Sequence, residues 1–169
     1  MFKTKKSRPE PREGETSWSS SEVAKLGGVS LRQLQWWDEQ KVVSPRHEGH
    51  RRVYSAAEVV EIAVIAELRR KGFSLQKIRR VVRYLQREMG KRLDEVLTGG
   101  SEMHLLTDGK TIHLEDSERR VIDVLKAAKQ AMFLVSVSDQ ARRVTQLQRK
   151  PAKRETGLQG VRRLKTAAN

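Results

Sequence analysis

The spacing of apolar and polar positions near the start of the chain predicts two short helices joined by a turn. Ser19 and Glu22 have the spacing of a capping box, and the apolar positions behind them end at the glycine pair 27–28. Ser30 and Gln33 repeat that spacing at the start of the segment LRQLQWWDEQ. Two helices separated by a glycine-containing turn are typical of a helix-turn-helix unit.

A polar loop between two short apolar pieces predicts a β-hairpin, or wing, directly after these helices. Residues 42–43 (VV) and 53–54 (VY) have strand-type side chains, whereas Pro45 and Gly49 between them break helical continuation. The loop itself is polar and basic, so we expect it to protrude into solvent.

The spacing of apolar residues then predicts two further helices. Ser55 and Glu58 open an apolar segment that ends at Gly72, and Ser74 caps a further helix that ends before Gly90. The apolar positions of the second helix share one face. Its other face carries a row of arginines, namely Arg79, Arg80, Arg83 and Arg87.

A change of pattern after the glycine pair 99–100 predicts a boundary and a small α+β module. Asp108-Gly109 is a strong hairpin signal between two short apolar pieces. Residues 117–129 have the composition of a helix, and residues 132–137 (MFLVSV) predict a strand.

The composition adds a strong positive charge to this picture. The chain of 169 residues has 35 Lys and Arg against 21 Asp and Glu, a formal net charge of +14, which favours a polyanionic partner such as nucleic acid. With no cysteine, disulfides, thiolate metal sites and cysteine nucleophiles are excluded. Neither a signal peptide nor a transmembrane stretch is evident. The sequence therefore predicts a soluble cytoplasmic protein without a membrane partner.

The charge is concentrated near the end of the chain. Residues 142–169 contain nine Lys and Arg against one Glu, with sparse apolar positions. Two interpretations stay open: a disordered tail that only improves solubility, or a basic arm that adds phosphate contacts of no sequence specificity.

Two adjacent tryptophans give the second predicted helix two different faces. Neighbouring side chains on a helix point about 100° apart, so Trp36 and Trp37 cannot both face one core. Trp37 shares the face of Leu34 and is predicted to be buried. Trp36 shares the opposite face with Arg32 and Gln35, with Gln33 on the flank. An exposed face of this kind can enter the DNA major groove, where arginine pairs with guanine and glutamine with adenine. The alternative is that Trp36 covers the wing or a neighbouring helix.

The predicted wing carries groups that bind phosphate. His50, Arg51 and Arg52 follow Gly49, and Tyr54 lies two residues further on. Three potential cations and a phenol on a protruding hairpin are suited to DNA phosphates. In isolation the same residues could be a solvated run of charge.

Three motifs in this order resemble the MerR-type winged helix-turn-helix regulators of bacteria. They are VS-x-R-x-L followed by two aromatics and an acid at 29–38, R-x-Y-S at 52–55, and G-F-S-L at 72–75. The resemblance covers residues 18–86, about half the chain, and the aromatic pair of that family is more often tyrosine.

The resemblance implies a DNA-binding mode and a set of contact residues. In that family the recognition helix enters the major groove, the wing grips the backbone, and a homodimer binds pseudo-palindromic promoter DNA. The bound homodimer bends and untwists the promoter so that RNA polymerase can read both promoter elements. The candidate DNA-binding residues are Ser30, Arg32, Gln33, Gln35, Trp36, His50, Arg51, Arg52 and Tyr54.

The predicted fold class is mainly α with small β parts. It comprises a flexible leader (1–17), a winged helix-turn-helix DNA-binding domain (18–90), a small α+β C-terminal module for sensing or dimerisation (101–140) and a basic disordered tail (141–169). Family members typically continue into one long coiled-coil helix, but no sustained heptad repeat follows Ser74 here. The missing cysteines exclude thiolate metal sensing and an iron–sulfur switch, and the remaining length does not fit a large multidrug-binding domain.

Other candidates for chemistry are weak. His104 and His113 could be cross-strand neighbours, but no third ligand cluster accompanies them, so surface histidines are the favoured interpretation. No phosphate loop, nucleophile elbow or triad spacing is present, which predicts a non-enzyme without a cofactor.

Three functions remain open: a nucleoid-associated transcriptional regulator with an unidentified effector, an excisionase-like architectural or recombination accessory protein, and an antitoxin-like interaction module that autoregulates. The first is favoured.

Overall fold

A computed structural model of the chain describes residues 16–90 and 92–148. Its elements follow one another as short strands and helices, in keeping with the predicted mainly α fold class with small β parts. In chain order they are β1 Trp18–Ser19, α1 Ser20–Gly27, α2 Leu31–Glu39, β2 Arg46–Glu48, β3 Arg51–Tyr54, α3 Ala56–Arg70, α4 Leu75–Met89, α5 Leu93–Leu97, β4 His104–Thr107, β5 Ile112–Glu115, α6 Glu118–Ala127, β6 Phe133–Ser136 and α7 Val137–Gln148.

The first three helices begin where the capping-box spacing predicts. Ser19, Ser30 and Ser55 each accept a hydrogen bond from the backbone N–H three residues later, and the side chain at that later position accepts from the serine N–H. Each such cap contributes about 1 kcal/mol to helix stability and sets the first residue of the helix. These predicted starts are confirmed.

Helix α3 is the centre of the core. It is apolar around most of its circumference, which is the pattern of a helix surrounded by other elements. Helices α1, α4 and α7 all pack against it. Its buried apolar side chains are Val59, Val60, Ile62, Val64, Ile65, Ala66 and Leu68.

The wing belongs to a three-stranded antiparallel sheet with the order β1-β3-β2. The sequence placed its first strand at Val42-Val43, which is wrong. Those valines are buried in the connection after α2, and the strand is formed by the polar residues of β2. Strand β1 was not predicted, because two residues are too few to show an alternating pattern.

The C-terminal half contains the predicted α+β elements. Strands β5 and β6 both pair antiparallel with β4 and are therefore parallel to each other, connected by the crossover helix α6. The predicted hairpin at Asp108-Gly109 is confirmed, although four residues connect its strands instead of two. The Asp108 carboxylate accepts hydrogen bonds from the N–H groups of Lys110 and Thr111 at 2.7 and 2.6 Å. These bonds hold the pKa of Asp108 below its usual range.

Helix α7 corrects the predicted start of the basic tail at residue 141. Residues 141–148 are helical, and Ala141 and Val144 are buried in the same core as the residues of α3. The Thr145 hydroxyl also donates to the Leu97 carbonyl at 3.2 Å. The segment was predicted to be a tail because its composition is basic, but two of its apolar residues pack against α3. The predicted leader, apart from residues 16 and 17, and the predicted tail from residue 149 onward lie outside the described residues.

The two histidines of the second sheet are diagonal neighbours. His104 pairs with Glu115 and His113 with Leu106 across the β4–β5 register. Across residues 16–90 and 92–148, no three His, Cys, Asp or Glu side chains cluster as metal ligands. In the same part of the chain, no helix combines the length and apolarity needed to span a bilayer.

Candidate nucleic-acid interface

Helix α2 has one buried face and one exposed face. Trp37 is 2% exposed and lies in the core with Leu34, whereas Trp36 is 43% exposed. Their separation follows from the angle of about 100° between successive residues of a helix. The predicted division between the two tryptophans is confirmed, and α2 is attached to the domain by only one side.

The exposed face of α2 presents the polar groups that the sequence singled out. Ser30 and Gln33 bond to each other's backbone N–H in the capping box, and the Gln35 amide donates to Glu39 at 2.8 Å. Each glutamine would have to release its present partner to form two bonds to one adenine. Arg32 has no ion pair among the described residues, so its guanidinium is free to bind a partner.

A buried carboxylate connects α2 to the wing. Asp38 is 5% exposed and accepts hydrogen bonds from His47 Nε2 at 2.9 Å and from Arg52 Nε at 2.7 Å. His47 and Arg52 lie directly opposite each other in the hairpin register. Asp38 therefore holds both strands of the wing at the end of α2. The sequence did not predict this role; its only signal was an acid directly after the aromatic pair.

The two faces of the wing separate residues that are adjacent in sequence. Side chains alternate along a strand, so Arg52 and Tyr54 share the face turned toward α2, whereas Arg51 lies on the other face. Arg46 and Glu48 form an ion pair on that outer face. Arg51 and, at the turn, His50 are exposed and remain candidates for phosphate contacts. Arg52 is partly buried, and its Nε is already bonded to Asp38.

Tyr54 does not lie where a phosphate contact requires. It is 1% exposed, and its hydroxyl is buried among core residues. Burial raises the pKa of Tyr54 above its ordinary value of 10.0, opposed by the Ser20 side chain and the Arg52 charge. The predicted phosphate contact by this hydroxyl is therefore corrected: Tyr54 packs the base of the wing.

Tyr54→Phe should leave DNA affinity unchanged, within about twofold, because the hydroxyl is not at the surface. It should also make the protein more resistant to alkali. The folded state keeps the Tyr54 proton above pH 10.0, where the unfolded chain loses it, so the wild type loses stability as pH rises through that value. Thermal midpoints at pH 9 and 11 for the two proteins measure this difference. A large loss of DNA affinity in Tyr54→Phe would show instead that the hydroxyl reaches DNA.

Helix α4 is attached to the far end of α2. The Arg79 guanidinium donates to both the backbone carbonyl and the side-chain oxygen of Gln40, at 2.8 and 3.1 Å. Arg70 similarly donates to the carbonyl of Gly27 at the end of α1. Long arginine side chains thus fix the helix-turn-helix unit on the α3–α4 support.

Comparison with known proteins finds a family match over the segment that contains α2 and the wing. The family model described as "MerR HTH family regulatory protein" matches residues 18–85. Two uncharacterised HTH-type transcriptional regulators, from Mycobacterium bovis and Mycobacterium tuberculosis, are each 27% identical over 128 residues, which cover 73% of this chain and 53% of the relative. The chain thus spans about half the length of these curated relatives.

A solved structure described as a transcriptional regulator of the MerR family from Bacillus cereus is also similar, with a TM-score of 0.37 and 17% sequence identity. The match covers 78% of this chain and 96% of that chain. The residues matched by the family model run from β1 into α4 and include both α2 and the wing. Over this segment, the chain is similar to the MerR family of helix-turn-helix regulatory proteins.

Proposed function

We propose that this protein is a transcriptional regulator that binds specific sequences in double-stranded DNA at promoters. The observation that carries the proposal is the pairing of an exposed polar face on α2 with a wing that Asp38 holds beside it. Similarity to the MerR family over residues 18–85 supports the same conclusion. The family description and the names of the relatives are those of regulators, so we assign no catalytic activity.

In the proposed complex, α2 lies in the major groove. Arg32 pairs with guanine or a phosphate, Gln35 and Gln33 face base edges, and Trp36 packs against sugars with its N–H toward a phosphate. The wing follows the backbone with His50 and Arg51, and Arg52 keeps the wing in position through Asp38. Ser30 contributes by starting the helix at the groove.

The proposal extends to a homodimer that acts on nucleoid DNA in the cytoplasm. The homodimer distorts the promoter, so that RNA polymerase can read the promoter. The family resemblance supports this extension. Helix α4 ends at Met89, and no described helix has the length of a long coiled coil. We therefore propose that elements after α4 provide the dimer contact or bind an effector.

Two substitutions should separate base recognition from backbone binding. Gln35→Ala should shift the sequence preference of DNA binding. Arg51→Ala should weaken binding to all sequences alike and reduce the slope of log K against log salt by about 1. Arg119→Ala, an exposed arginine on α6 without an ion pair among the described residues, is the control of equal charge. Selection of bound genomic fragments followed by salt titration measures both effects.

The same selection tests the function itself. Symmetric sites at promoters would support a regulator. Sites confined to attachment sites or mobile-element ends, or recovery of one stoichiometric protein partner without DNA, would contradict it. Equal behaviour of wild type and both variants would contradict the assigned interface.

A further inference from the structure

The outer face of α4 forms an open groove rich in arginine. We call it the arginine groove and define it by Arg79, Arg80, Arg83 and Arg87 with Tyr84 and Ile112. Its volume is about 500 Å³. It lies outside the exposed face of α2 and outside the wing, so neither of those surfaces accounts for it.

The positive charge in the arginine groove is largely uncompensated. Among the described side chains, Arg80 and Arg83 have no carboxylate within ion-pair distance. Arg79 donates to the oxygens of Gln40, which are neutral. Arg87 has a carboxylate partner, Glu88, but that pair is exposed to solvent and weak.

The spacing of the arginines makes this charge unfavourable for the free protein. Arg83 is four residues from both Arg79 and Arg87 and three residues from Arg80, so the guanidinium groups are neighbours on one helix face. Like charges at these spacings destabilise a helix. A bound anion would remove the repulsion, whereas a purely solubilising surface would be served better by mixed signs.

The shape and chemistry of the groove fit linked phosphates. Guanidinium groups bind phosphate oxygens through two parallel N–H bonds, and several of them in a row suit several phosphates. The Arg87 guanidinium already lies 5.2 Å from the Tyr84 ring centroid, which holds it in place. Ile112 adds an apolar contact from β5.

We propose that the arginine groove is a binding site for linked phosphate groups, separate from the recognition helix and the wing. The groove includes Arg79, which bonds to Gln40 at the end of α2, and it is also lined by Ile112 of β5 in the C-terminal half. The phosphates come either from the DNA backbone outside the α2 footprint or from a free phosphorylated ligand. This site goes beyond the proposed function, and only the DNA backbone as a source of the phosphates would rest on that function.

The first arm of the test uses inorganic tripolyphosphate without DNA. The full chain is titrated by calorimetry as wild type, as Arg80→Gln/Arg83→Gln, and as the control Arg119→Gln/Arg120→Gln, which removes the same charge from α6. If the source is a free ligand, the groove variant should bind about tenfold more weakly than wild type, and the control should bind like wild type.

The second arm measures the salt dependence of duplex binding for the same three proteins. If the DNA backbone is the source, the slope of log K against log salt should fall by about 1.8 in the groove variant, or about 0.9 for each cation removed. The control should keep the wild-type slope. A lowered slope assigns the phosphates to DNA. An unchanged slope with weakened tripolyphosphate binding assigns them to a free ligand.

The groove variant should fold normally, because both side chains are exposed and their removal relieves repulsion. Circular dichroism and the thermal midpoint check this, and the single Arg83→Gln variant should show about half the change in slope. Behaviour equal to the control in both arms overturns the proposal. A wild type that binds no duplex would contradict the proposed function alone, since the tripolyphosphate arm would still decide whether the groove binds phosphate.

Discussion

Replacing Trp37 with alanine should destabilise the protein by about 3–5 kcal/mol, since it removes a large, fully buried side chain from the core. Trp37 is the residue through which α2 is attached to the domain, together with Leu34. A cavity at this point would also loosen the attachment of α2 to the domain. Urea unfolding followed by circular dichroism measures the loss without depending on tryptophan fluorescence.

The neighbouring tryptophan is the matched control for this prediction. Trp36→Ala removes the same side chain from an exposed position, so the free energy of unfolding should change by no more than about 0.5 kcal/mol. Its DNA affinity should nevertheless fall by about tenfold, or about 1.4 kcal/mol, if the ring lies against the duplex. Equal destabilisation by the two variants would contradict the assigned faces. Unchanged DNA affinity in Trp36→Ala would indicate that this ring does not reach DNA.

Asp38→Asn should lower the free energy of unfolding by about 1.5–3 kcal/mol, since Asp38 accepts two hydrogen bonds from groups that can carry charge. An amide keeps the shape of the side chain but loses the negative charge beside Arg52, which is partly buried. The His47 and Arg52 side chains would then no longer hold the wing at the end of α2. Glu39→Gln, an equal change of charge at an exposed position of the same helix, should affect stability little.

DNA binding gives Asp38→Asn a second measurement. Loss of a negative charge by itself strengthens attraction to DNA, so electrostatics alone would raise the affinity. We expect a fall of about tenfold instead, because the wing and the helix would no longer be held in one relative position. Hydrogen exchange of the β2–β3 amides should increase in the same variant. A rise in affinity with unchanged exchange would show that Asp38 does not position the wing.

The residues around Asp38 show what could not be predicted from the sequence, namely which side chains of the wing face inward. The sequence grouped Arg51, Arg52 and Tyr54 as one phosphate-binding set, because they follow one another behind a turn. In the structure the strand separates them, and of the three only Arg51 is exposed. The alternation of side chains along the strand could be predicted from the hairpin pattern. Which face of the wing turns inward could be recognised only from the structure, where Asp38 and the core lie beneath it.

Helix α7 shows the same limit at the other end of the chain. Its composition is that of a basic tail, and its apolar positions Ala141 and Val144 are too few to indicate a core helix. They are buried because α3 is apolar on the side that α1 and α4 leave uncovered. The apolar side of α3 has to be buried by another element, and the helix that buries it, α7, lies about 70 residues later in the chain.

The sequence by itself determined the helix starts, the helix-turn-helix outline, the positive charge and the resemblance to the MerR family. Capping boxes and helical spacing act within three or four residues, so they can be recognised without knowledge of the fold. Tertiary structure alone decided the bond between Asp38 and Arg52, the contact of Arg79 with Gln40 and the burial of α7. These contacts join residues 14 and 39 positions apart, or in the case of α7 distant helices, and only the packing around α3 brings them together.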